Sequence, residues 1–489
     1  MKNRTPFLTG FGPLLFGKAP VSALARLAKL QSMEDLYSAF AYLFDEKSWD
    51  WSSPEAQTRD RQLPGCVTFW AFVSQILTPG SSCREVVRKL DAWWRWGQGK
   101  ARQTVTASAY CQARQRLNLS TLEHIGQGLS IKIESRVPSS DQWINQRSVK
   151  IIDGTMLTMP DEPSLQARWP QHHQQKTGCG FPIMRLVGIF SLSSGAILAS
   201  AQGSHAQSEV GLFKALWPKL QRGDIILEDR GFCSFGSMVS LLGRGIDTVC
   251  RLAVSRKQAP VVKILGPGDQ LICWTKSRQA RANYEKSEWE ALPQTLLLRQ
   301  IEIVVQAKGF RTKRVTIVTT LCDAEIYPAD RLRCLYGERW QVELHFAQLK
   351  TWLDLDVLSC KSPEMIEKEL QIHLIAYNLV RSVMQRAAST HHVPLKRISF
   401  KGTLDTLRHY APQIHRARHT SQKQRALIDQ MLLLIAQDLV PFRPERSEPR
   451  AVKKRPKNYH RLTKPRKEIG NLPHTNKSHK KSNAIPIPS

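Results

Sequence analysis

The chain has 489 residues, of which 42% are hydrophobic and 13 are tryptophan, so a wholly disordered protein is excluded. Its 71 Lys and Arg residues outnumber 41 Asp and Glu residues, and the formal charge of +30 favours nucleic acid as the partner, with a merely basic or ribosome-associated protein as the alternative. The ten cysteines form no Cys-x-x-Cys pair and no run of about 18 residues is uninterruptedly apolar, so we expect a cytoplasmic protein with neither a zinc knuckle nor a membrane span.

Residues 1–145 are predicted to form an all-helical domain. Apolar residues recur at helical spacing in four segments, "LAKLQSMEDLYSAFAYLF", "CVTFWAFVSQIL", "CREVVRKLDAWWRWG" and "ASAYCQARQRLN". Basic residues lie between these apolar positions and suit contacts with phosphates. A solvated surface would explain each of these cations equally well, so DNA binding by this domain is one of two open interpretations.

Residues 146–254 change to a pattern of strands and helices. The run "SVKIIDGTMLTM" is predicted to be a strand, and "PIMRLVGIFSLSSGAILASAQG" two strands joined at residues 193–195. A helix capped by Ser208, the apolar strand in "GDIILEDRGF", a further helix and the strand "DTVCRLAV" follow. This order predicts an α/β core with a mixed sheet. The alternating patterns of residues 255–328, such as "LLLRQIEIVVQA", predict a β-rich insertion.

Helices are predicted again in residues 329–360 and 361–442. The last residues, 443–489, contain 14 Lys and Arg against three Glu, and they have scarcely any apolar clusters. Such a segment cannot bury enough apolar surface to offset the entropy lost on ordering, so we expect a disordered basic tail.

The segment "YGERWQVELHFAQLK", residues 336–350, carries charged residues on one side of a predicted helix. At about 100° per residue, one sector about 60° wide holds four polar positions, Tyr336, Arg339, Glu343 and Lys350. Glu338 lies on the opposite side, where it suits a plain surface charge. The stripe by itself is explained more simply as a solvated face with an Arg–Glu pair.

Two aspartates stand next to apolar strands. Asp153 lies inside one strand and Asp229 directly follows another, where an unpaired charge is costly unless a cation or a metal compensates it. With Glu343 they can converge on a pair of divalent cations, and such oxygen ligands suit Mg²⁺ or Mn²⁺. Such ions can activate an attacking water or hydroxyl and stabilise the leaving oxygen of a phosphodiester. Alternatively each aspartate caps a turn or pairs with a neighbour, and the sequence does not separate Asp229 from Asp224 and Glu228.

These residues resemble the DDE transposases of bacterial insertion sequences, in the insertion sequence four-like group. That group is marked by the spacing Tyr, two residues, Arg, three residues, Glu, six residues, Lys. The match in this chain is complete, with Tyr336, Arg339, Glu343 and Lys350. The runs "DGTMLTMPDEP", "KTGCGFP" and "GDIILEDRGF", and "KKRPKNYHRLTKPR" in the tail, are also similar to that group, so the resemblance covers residues from about 30 to 467.

The resemblance implies a fold and a set of site residues. The fold is an α/β, RNase H-like mixed-sheet catalytic core with a β-rich insertion, preceded by the helical domain and followed by helices and the basic tail. Two ions, Mg²⁺ or Mn²⁺, would be held by three catalytic residues, Asp153, Asp229 and Glu343. The phosphates of the transposon end and the DNA backbone would be contacted by Tyr336, Arg339 and Lys350.

The implied function is a transposase that binds terminal inverted repeats and catalyses metal-dependent cleavage and strand transfer of double-stranded DNA. Pairing two transposon ends requires at least two subunits, so we expect a homodimer. No phosphate-binding loop of the Walker type occurs, and a nucleotide cofactor is not expected. The alternatives are a nuclease without strand transfer, and a non-catalytic or decayed DNA-binding relative that acts as a repressor.

Two further sets of residues have competing interpretations. In some relatives a tryptophan of the insertion stabilises a flipped base near the cut, and Trp274 is a candidate here, although a core position is the favoured alternative. His172 and His173 lack a second ligand pair at metal spacing, so we interpret them as loop residues and not as zinc ligands.

Overall fold

The computed structural model describes residues 63–98, 105–252, 259–278, 283–305, 313–416 and 420–441, and the isolated positions 462, 464, 465 and 468. The predicted helix in "LAKLQSMEDLYSAFAYLF" lies outside the described residues, as does the predicted tail apart from those four positions. Within the described ranges, none of the helices combines the length and the apolar character needed to cross a membrane.

The described N-terminal part is helical, as the sequence predicts. Its helices are α1 Gly65–Ile76, α2 Cys83–Gln98, α3 Ala107–Gln115 and α4 Leu119–Glu134. Helix α3 begins after Thr106, whose hydroxyl accepts a hydrogen bond from the Ala109 amide, and α4 begins after Asn118, whose side chain accepts one from the Ser120 amide. The first three helices enclose a small apolar core that includes Val67, Leu90, Tyr110 and other buried residues. The three helical patterns that fall within the described residues thus correspond to α1, α2 and α3.

The next residues form the first half of a nine-stranded sheet. The strands are β1 Val149–Thr158, β2 Ile183–Ser191, β3 Ile197–Ser204, β4 Ile225–Glu228 and β5 Asp247–Arg251. They lie in the order β3-β2-β1-β4-β5. Strands β1, β2 and β3 pair antiparallel, whereas β4 is parallel to β1 and β5 is parallel to β4. This arrangement is the RNase H-like mixed sheet, and the predicted fold class is confirmed.

The connections follow from local sequence. The turn between β2 and β3 contains Gly195 with φ of +67°, a left-handed conformation that glycine adopts without steric cost. Helix α5 is the short segment Pro163–Arg168, and the crossovers that parallel strands require are α6 Glu209–Leu216 before β4 and α7 Phe235–Gly243 before β5. All residues of β4 are buried, as expected of a parallel strand covered on both faces.

The β-rich residues that follow extend the same sheet. They comprise β6 Val261–Gly266, β7 Asp269–Thr275, β8 Thr295–Val305 and β9 Lys313–Thr319, with the short helix α8 Lys286–Ala291 between β7 and β8. Strand β9 pairs antiparallel with β5, which completes the order β5-β9-β8-β7-β6. Trp274 in β7 is 6% exposed and packs in an apolar cluster with Phe235 and Trp289. Trp274 is therefore a core residue in this structure.

Long helices join the helical part to the sheet. After the segment α9 Ala329–Gly337 and α10 Gln341–Ala347 come α11 Pro363–His391, α12 Phe400–Arg416 and α13 Ser421–Gln437. Helix α11 packs against α1, α4 and α13. Its Tyr377 hydroxyl donates to the Gly195 carbonyl at 2.7 Å, and the Asn378 side chain bonds both backbone groups of Ile197. The antiparallel hairpin of the sheet is thus fixed to the helices on one side.

Candidate active site

The middle of β1 and the end of β4 bring two of the predicted site residues together. In the parallel register of these strands, Ile151 lies beside Leu227, which is the last pair of the ladder. Asp153 lies two residues further along β1, opposite Gly188 of β2, and Asp229 directly follows β4, close enough for its charge to raise the pKa of Asp153. The Gly154 amide donates to Oδ1 of Asp153 at 2.8 Å. The two aspartates predicted from separate strands therefore face one site.

Negative charge accumulates around Asp153. Burial raises the pKa of Asp153 from its usual 3.8 to about 6, and the charges of Glu209 and Asp229 act in the same direction. The Gly154 amide and the Arg339 guanidinium lower it, but by less. The raised pKa of Asp153 therefore comes mainly from burial, with smaller contributions from the neighbouring carboxylates.

The structure also distinguishes Asp229 from two nearby acidic residues, because their surroundings differ. Asp224, 3% exposed, forms a buried ion pair with Lys150 and accepts a hydrogen bond from the Gln221 amide at 2.7 Å. Glu228 is fully buried beneath the end of β4, and burial raises the pKa of its carboxyl well above the usual range. Of the three, only Asp229 is both partly exposed and next to Asp153.

The glutamate segment is less regular than the single helix that the sequence predicts. Helix α9 passes into a 3₁₀ turn at Glu338–Trp340, then into α10, and ends in a π turn at Gln348–Trp352. A 3₁₀ turn has fewer and a π turn more residues than an α-helical turn, so a constant 100° per residue does not hold here. The facing of each side chain must therefore be taken from its contacts.

Those contacts direct the predicted stripe towards β1 and β4. The Tyr336 ring is 9% exposed, and its hydroxyl lies 3.5 Å from the Glu228 carbonyl at the end of β4. Nη2 of Arg339 lies 3.2 Å from Oε1 of Glu343. Burial opposes the charge of Arg339, but Tyr336, Asp229, Glu343 and Asp153 outweigh it and raise the pKa of the guanidinium. Arg339 therefore lies between the glutamate and the two aspartates.

Lys350 fastens the end of this segment to β1. Its Nζ donates to the Met156 carbonyl at 2.8 Å and forms an ion pair with Asp356 at 2.9 Å. On the other side of the segment, Glu338 lies 3.6 Å from Lys396, away from the site. The predicted stripe thus faces the sheet, and Glu338 is the plain surface charge that the sequence predicts.

Glu209 is a carboxylate close to β1 that the sequence analysis misses, and its charge raises the pKa of Asp153. It is the first residue of α6, after the Ser208 cap, whose hydroxyl accepts from the Gly211 amide at 3.0 Å. Strand β3 runs parallel to β1, since both are antiparallel to β2, so α6 begins at the edge of the sheet where β1 ends. An acidic residue in the first turn of the helix after β3 was the available signal, but it becomes specific only with the strand order.

The donor set suits a hard divalent cation, because every candidate ligand is a carboxylate. Burial disfavours the charged form of Asp153, and such an ion would favour it. In the described parts of the chain, no three His, Cys, Asp or Glu side chains are grouped so that they could hold one metal ion together. Glu343 is instead paired with Arg339.

Three histidines lie together outside this site. The rings of His172 and His173 stack with centroids 4.5 Å apart, and the ring of His205 lies 5.3 Å and 6.0 Å from them. Nothing in the sequence indicates that His205 approaches the other two. Stacked rings present their faces to one another, whereas metal binding requires the ring nitrogens to converge on one point.

Comparisons with known proteins agree with the motif spacing. Residues 144–379 match the family model described as Transposase DDE domain, and residues 52–125 match Insertion element 4 transposase N-terminal. The Escherichia coli K12 protein named Transposase InsG for insertion sequence element IS4 is 27% identical over 411 residues, which cover 82% of this chain and 88% of that protein.

Two further similarities are more limited. The Escherichia coli K12 protein named Putative transposase InsZ is 27% identical over 195 residues, 40% of this chain and 62% of that protein. A solved structure, the piggyBac transposase synaptic complex with hairpin DNA, aligns over 91% of this chain and 88% of its own at 12% identity, with a TM-score of 0.41.

Proposed function

Because the chain belongs to the DDE transposases and carries the N-terminal domain of the insertion element 4 group, we propose that Asp153, Asp229 and Glu343 are its catalytic residues and bind two divalent cations, Mg²⁺ or Mn²⁺. The observation that supports this assignment is the proximity of Asp153, inside β1, to Asp229, directly after β4, with Arg339 close to both aspartates and paired with Glu343. When bound, such cations would activate the attacking oxygen and stabilise the leaving oxygen of a phosphodiester.

The protein's own groups prepare the site for DNA. Arg339 neutralises part of the carboxylate charge and holds Glu343 by an ion pair at 3.2 Å. We propose that a DNA phosphate takes over Arg339, which frees Glu343 for the cation, because a guanidinium binds phosphate through paired N–H donors. The Tyr336 hydroxyl would donate to a phosphate of the same transposon end.

Lys350 would bind the DNA backbone next to that phosphate. Its ammonium group has three donors, and the structure assigns contacts to the Met156 carbonyl and to Asp356. The Asp356 side chain is 62% exposed, so this ion pair is weak and exchangeable for a phosphate. The contact with Met156 would keep Lys350 beside β1 when DNA binds.

The proposed substrate is double-stranded DNA, namely the terminal inverted repeats of an insertion sequence and then its target. The charge of +30 supports this, and so does the helical part from α1 to α4 that matches the insertion element N-terminal model. Cut-and-paste transposition requires two ends to be held together, so we propose a homodimer that acts in the bacterial cytoplasm. A 3′ hydroxyl released by cleavage would then attack target DNA.

The test is cleavage of a DNA fragment that carries one end of the element, in the presence of Mg²⁺. We expect Asp153→Ala, Asp229→Ala and Glu343→Ala each to abolish cleavage while the end is still bound, because the phosphate contacts remain. Glu338→Ala is the matched control, since this carboxylate pairs with Lys396 away from the site. Full cleavage by any of the three site variants would refute the assignment of that residue.

Further measurements distinguish transposition from the alternative functions. A joining assay with target DNA distinguishes a transposase from a nuclease that only cuts, and wild-type protein that binds ends without cutting would indicate a decayed copy or a repressor. Short inverted repeats and a duplicated target flanking the gene would support an active element. Affinity for the ends should fall steeply with salt, because phosphate contacts release counterions.

A further inference from the structure

We propose that Cys83 and Cys111 form a redox-active thiol pair, which a hydroperoxide oxidises to a disulfide between α2 and α3. The two residues lie 28 positions apart in the chain, and no cysteine motif of the sequence indicates that they meet. Both belong to the helices that match the Insertion element 4 N-terminal model, so the disulfide would fix the part of the chain that we propose to bind DNA ends. The pair itself does not depend on the proposed metal site.

The two sulfur atoms are already in contact. Cys83 is the first residue of α2 and Cys111 lies in α3, and their Sγ atoms are 3.7 Å apart. A disulfide has an S–S bond of about 2.05 Å, so the atoms need to approach by about 1.7 Å. The apolar core that includes Val86 and Tyr110 packs α2 against α3. Both cysteines are half-buried, so a molecule as small as hydrogen peroxide can reach a pair that the fold holds together.

A buried arginine lies beside the pair. Nη2 of Arg114 is 3.8 Å from Sγ of Cys111, and the residue is 8% exposed. Within the described ranges, no ion pair joins this guanidinium to a carboxylate. Burial opposes its charge, but Cys360, Tyr110, Cys83 and Cys111 outweigh burial and raise the pKa of the guanidinium. A cation next to a thiol favours the thiolate, which is the nucleophilic form, so Arg114 would activate this pair.

The surroundings assign different roles to the two thiols. Burial raises the pKa of Cys83, and the opposing effect of Arg114 is smaller. Its Sγ also accepts a contact from the Gln75 side-chain nitrogen at 3.8 Å. Cys111 is the thiol that the guanidinium touches. Cys111 is therefore the attacking thiolate, and Cys83 is the thiol that reacts second.

The reaction with hydrogen peroxide is balanced by the two thiols alone. The Cys111 thiolate attacks one peroxide oxygen, so that an S–O bond forms, the O–O bond breaks and the second oxygen leaves as water after taking a proton. The sulfur of Cys83 then attacks the sulfur of Cys111, the S–S bond forms, and the S–O oxygen leaves as a second water with the remaining thiol proton. The two thiols lose two electrons in total, and the peroxide is reduced to two water molecules.

The experiment treats the full-length protein with hydrogen peroxide, blocks the remaining thiols and identifies linked peptides by mass spectrometry without reduction. Wild-type protein should yield the Cys83–Cys111 peptide pair, and a thiol reductant should remove it. Cys334→Ser is the matched control, because this exposed cysteine of α9 lies outside the pair and its loss should leave the linkage intact. A linkage of Cys111 to Cys360, or no linkage at peroxide concentrations that oxidise Cys334, would overturn the proposal.

The single-cysteine variants test the order of the two steps. In Cys83→Ser the oxidised Cys111 has no partner, so dimedone, a reagent for sulfenic acids, should label Cys111. In Cys111→Ser the same treatment should leave Cys83 unlabelled, and labelling of Cys83 alone in the two proteins would reverse the assigned roles. Serine is close to cysteine in size, so both variants should fold.

The role of Arg114 is tested by the rate of disulfide formation. Arg114→Gln should slow the reaction by about tenfold, because the thiolate loses its cation, whereas Arg114→Lys should keep most of the rate. Arg116→Gln is the control, since Arg116 is exposed at the end of the same helix. An unchanged rate in folded Arg114→Gln protein, as judged by its thermal unfolding, would refute activation by Arg114.

Discussion

Strand β4 has an aspartate at each end, and the two have opposite surroundings. Asp224, before the strand, is buried against Lys150 and accepts a hydrogen bond from a backbone amide. Asp229, after the strand, lies among other carboxylates, with Arg339 as the cation that they share. A buried aspartate with its own cation stabilises the fold, whereas one that shares a cation with other acids is available for a ligand.

The same contrast appears along β1. Lys150 near its start completes the ion pair with Asp224, and Asp153, three residues on, has a pKa raised to about 6. At the first end of the strand pair, the charges of Lys150 and Asp224 neutralise each other. At the second end, burial disfavours the charged form of Asp153, and a bound cation would favour it. The following variants test that difference.

The largest effect is expected at the unbalanced end. Asp229→Asn should reduce Mg²⁺-dependent cleavage of end DNA by about 10³-fold or more, because a ligand that acts on the developing charge of the transition state is lost. Its thermal unfolding temperature should remain close to that of the wild type. Cleavage and thermal unfolding should be measured on the same preparation. If Asp229→Asn lost much stability but cleaved normally, Asp229 would have the stabilising role assigned to Asp224.

At the balanced end the loss should be in stability. Asp224→Asn leaves the Lys150 ammonium buried without its counter-ion, which should lower the free energy of unfolding by about 3–5 kcal/mol. Cleavage per folded molecule should be retained, as judged by activity normalised to the fraction folded. A variant that folds normally but does not cleave would place Asp224 in the active site.

Asp153→Asn should show a pH-dependent gain in stability when metal is absent. The folded pKa of about 6 lies above the usual 3.8, so the protonated carboxyl is favoured in the fold. The stability that this group contributes is complete below about pH 3.8 and is lost as the pH rises through 6. In EDTA, Asn should therefore match the wild type near pH 4 and exceed it by about 1–3 kcal/mol at pH 7.5.

Chemical unfolding at several pH values measures this difference. Added Mn²⁺ should favour the wild type at pH 7.5, because the ion neutralises a carboxylate that the variant lacks. A difference between the two proteins that stays constant from pH 4 to 7.5 would show that the pKa of Asp153 is not raised in the folded protein.

The smallest effect should come from Tyr336→Phe. The hydroxyl lies 3.5 Å from the Glu228 carbonyl, a weak contact, so the free energy of unfolding should change by less than about 1 kcal/mol. If the hydroxyl donates to a phosphate as proposed, affinity for end DNA should fall by about fivefold, measured at fixed salt. Unchanged affinity would limit Tyr336 to packing against β4.

Much of this arrangement could be predicted because its signals are local. The apolar runs of β1 and β4, the turn at Gly195 and the cap at Ser208 each depend on a few neighbouring residues. The position of Asp153 inside a strand and that of Asp229 directly after one could be predicted for the same reason. The spacing of the glutamate segment indicated the family in combination with the two aspartates.

What could not be predicted depends on contacts between distant segments. Lys150 pairs with Asp224 across 74 residues, and nothing near either residue indicates the other. Glu209 approaches β1 only because β3 ends at the same edge of the sheet as β1. The π turn that carries Lys350 changes the helical periodicity within the segment, and a regular helix cannot represent it.

The pairing of β9 with β5 has a consequence for any shortened form of the chain. Backbone groups of Val249, Cys250 and Arg251 find their partners on β9, and the Leu252 amide donates to the Thr316 carbonyl. Deleting residues 261–319 would convert β5 into a bare sheet edge with unpaired donors and acceptors, a template for pairing with other chains. The strands after β5 thus protect the catalytic half of the sheet from aggregation, and a minimal version without them should precipitate unless another segment covers that edge.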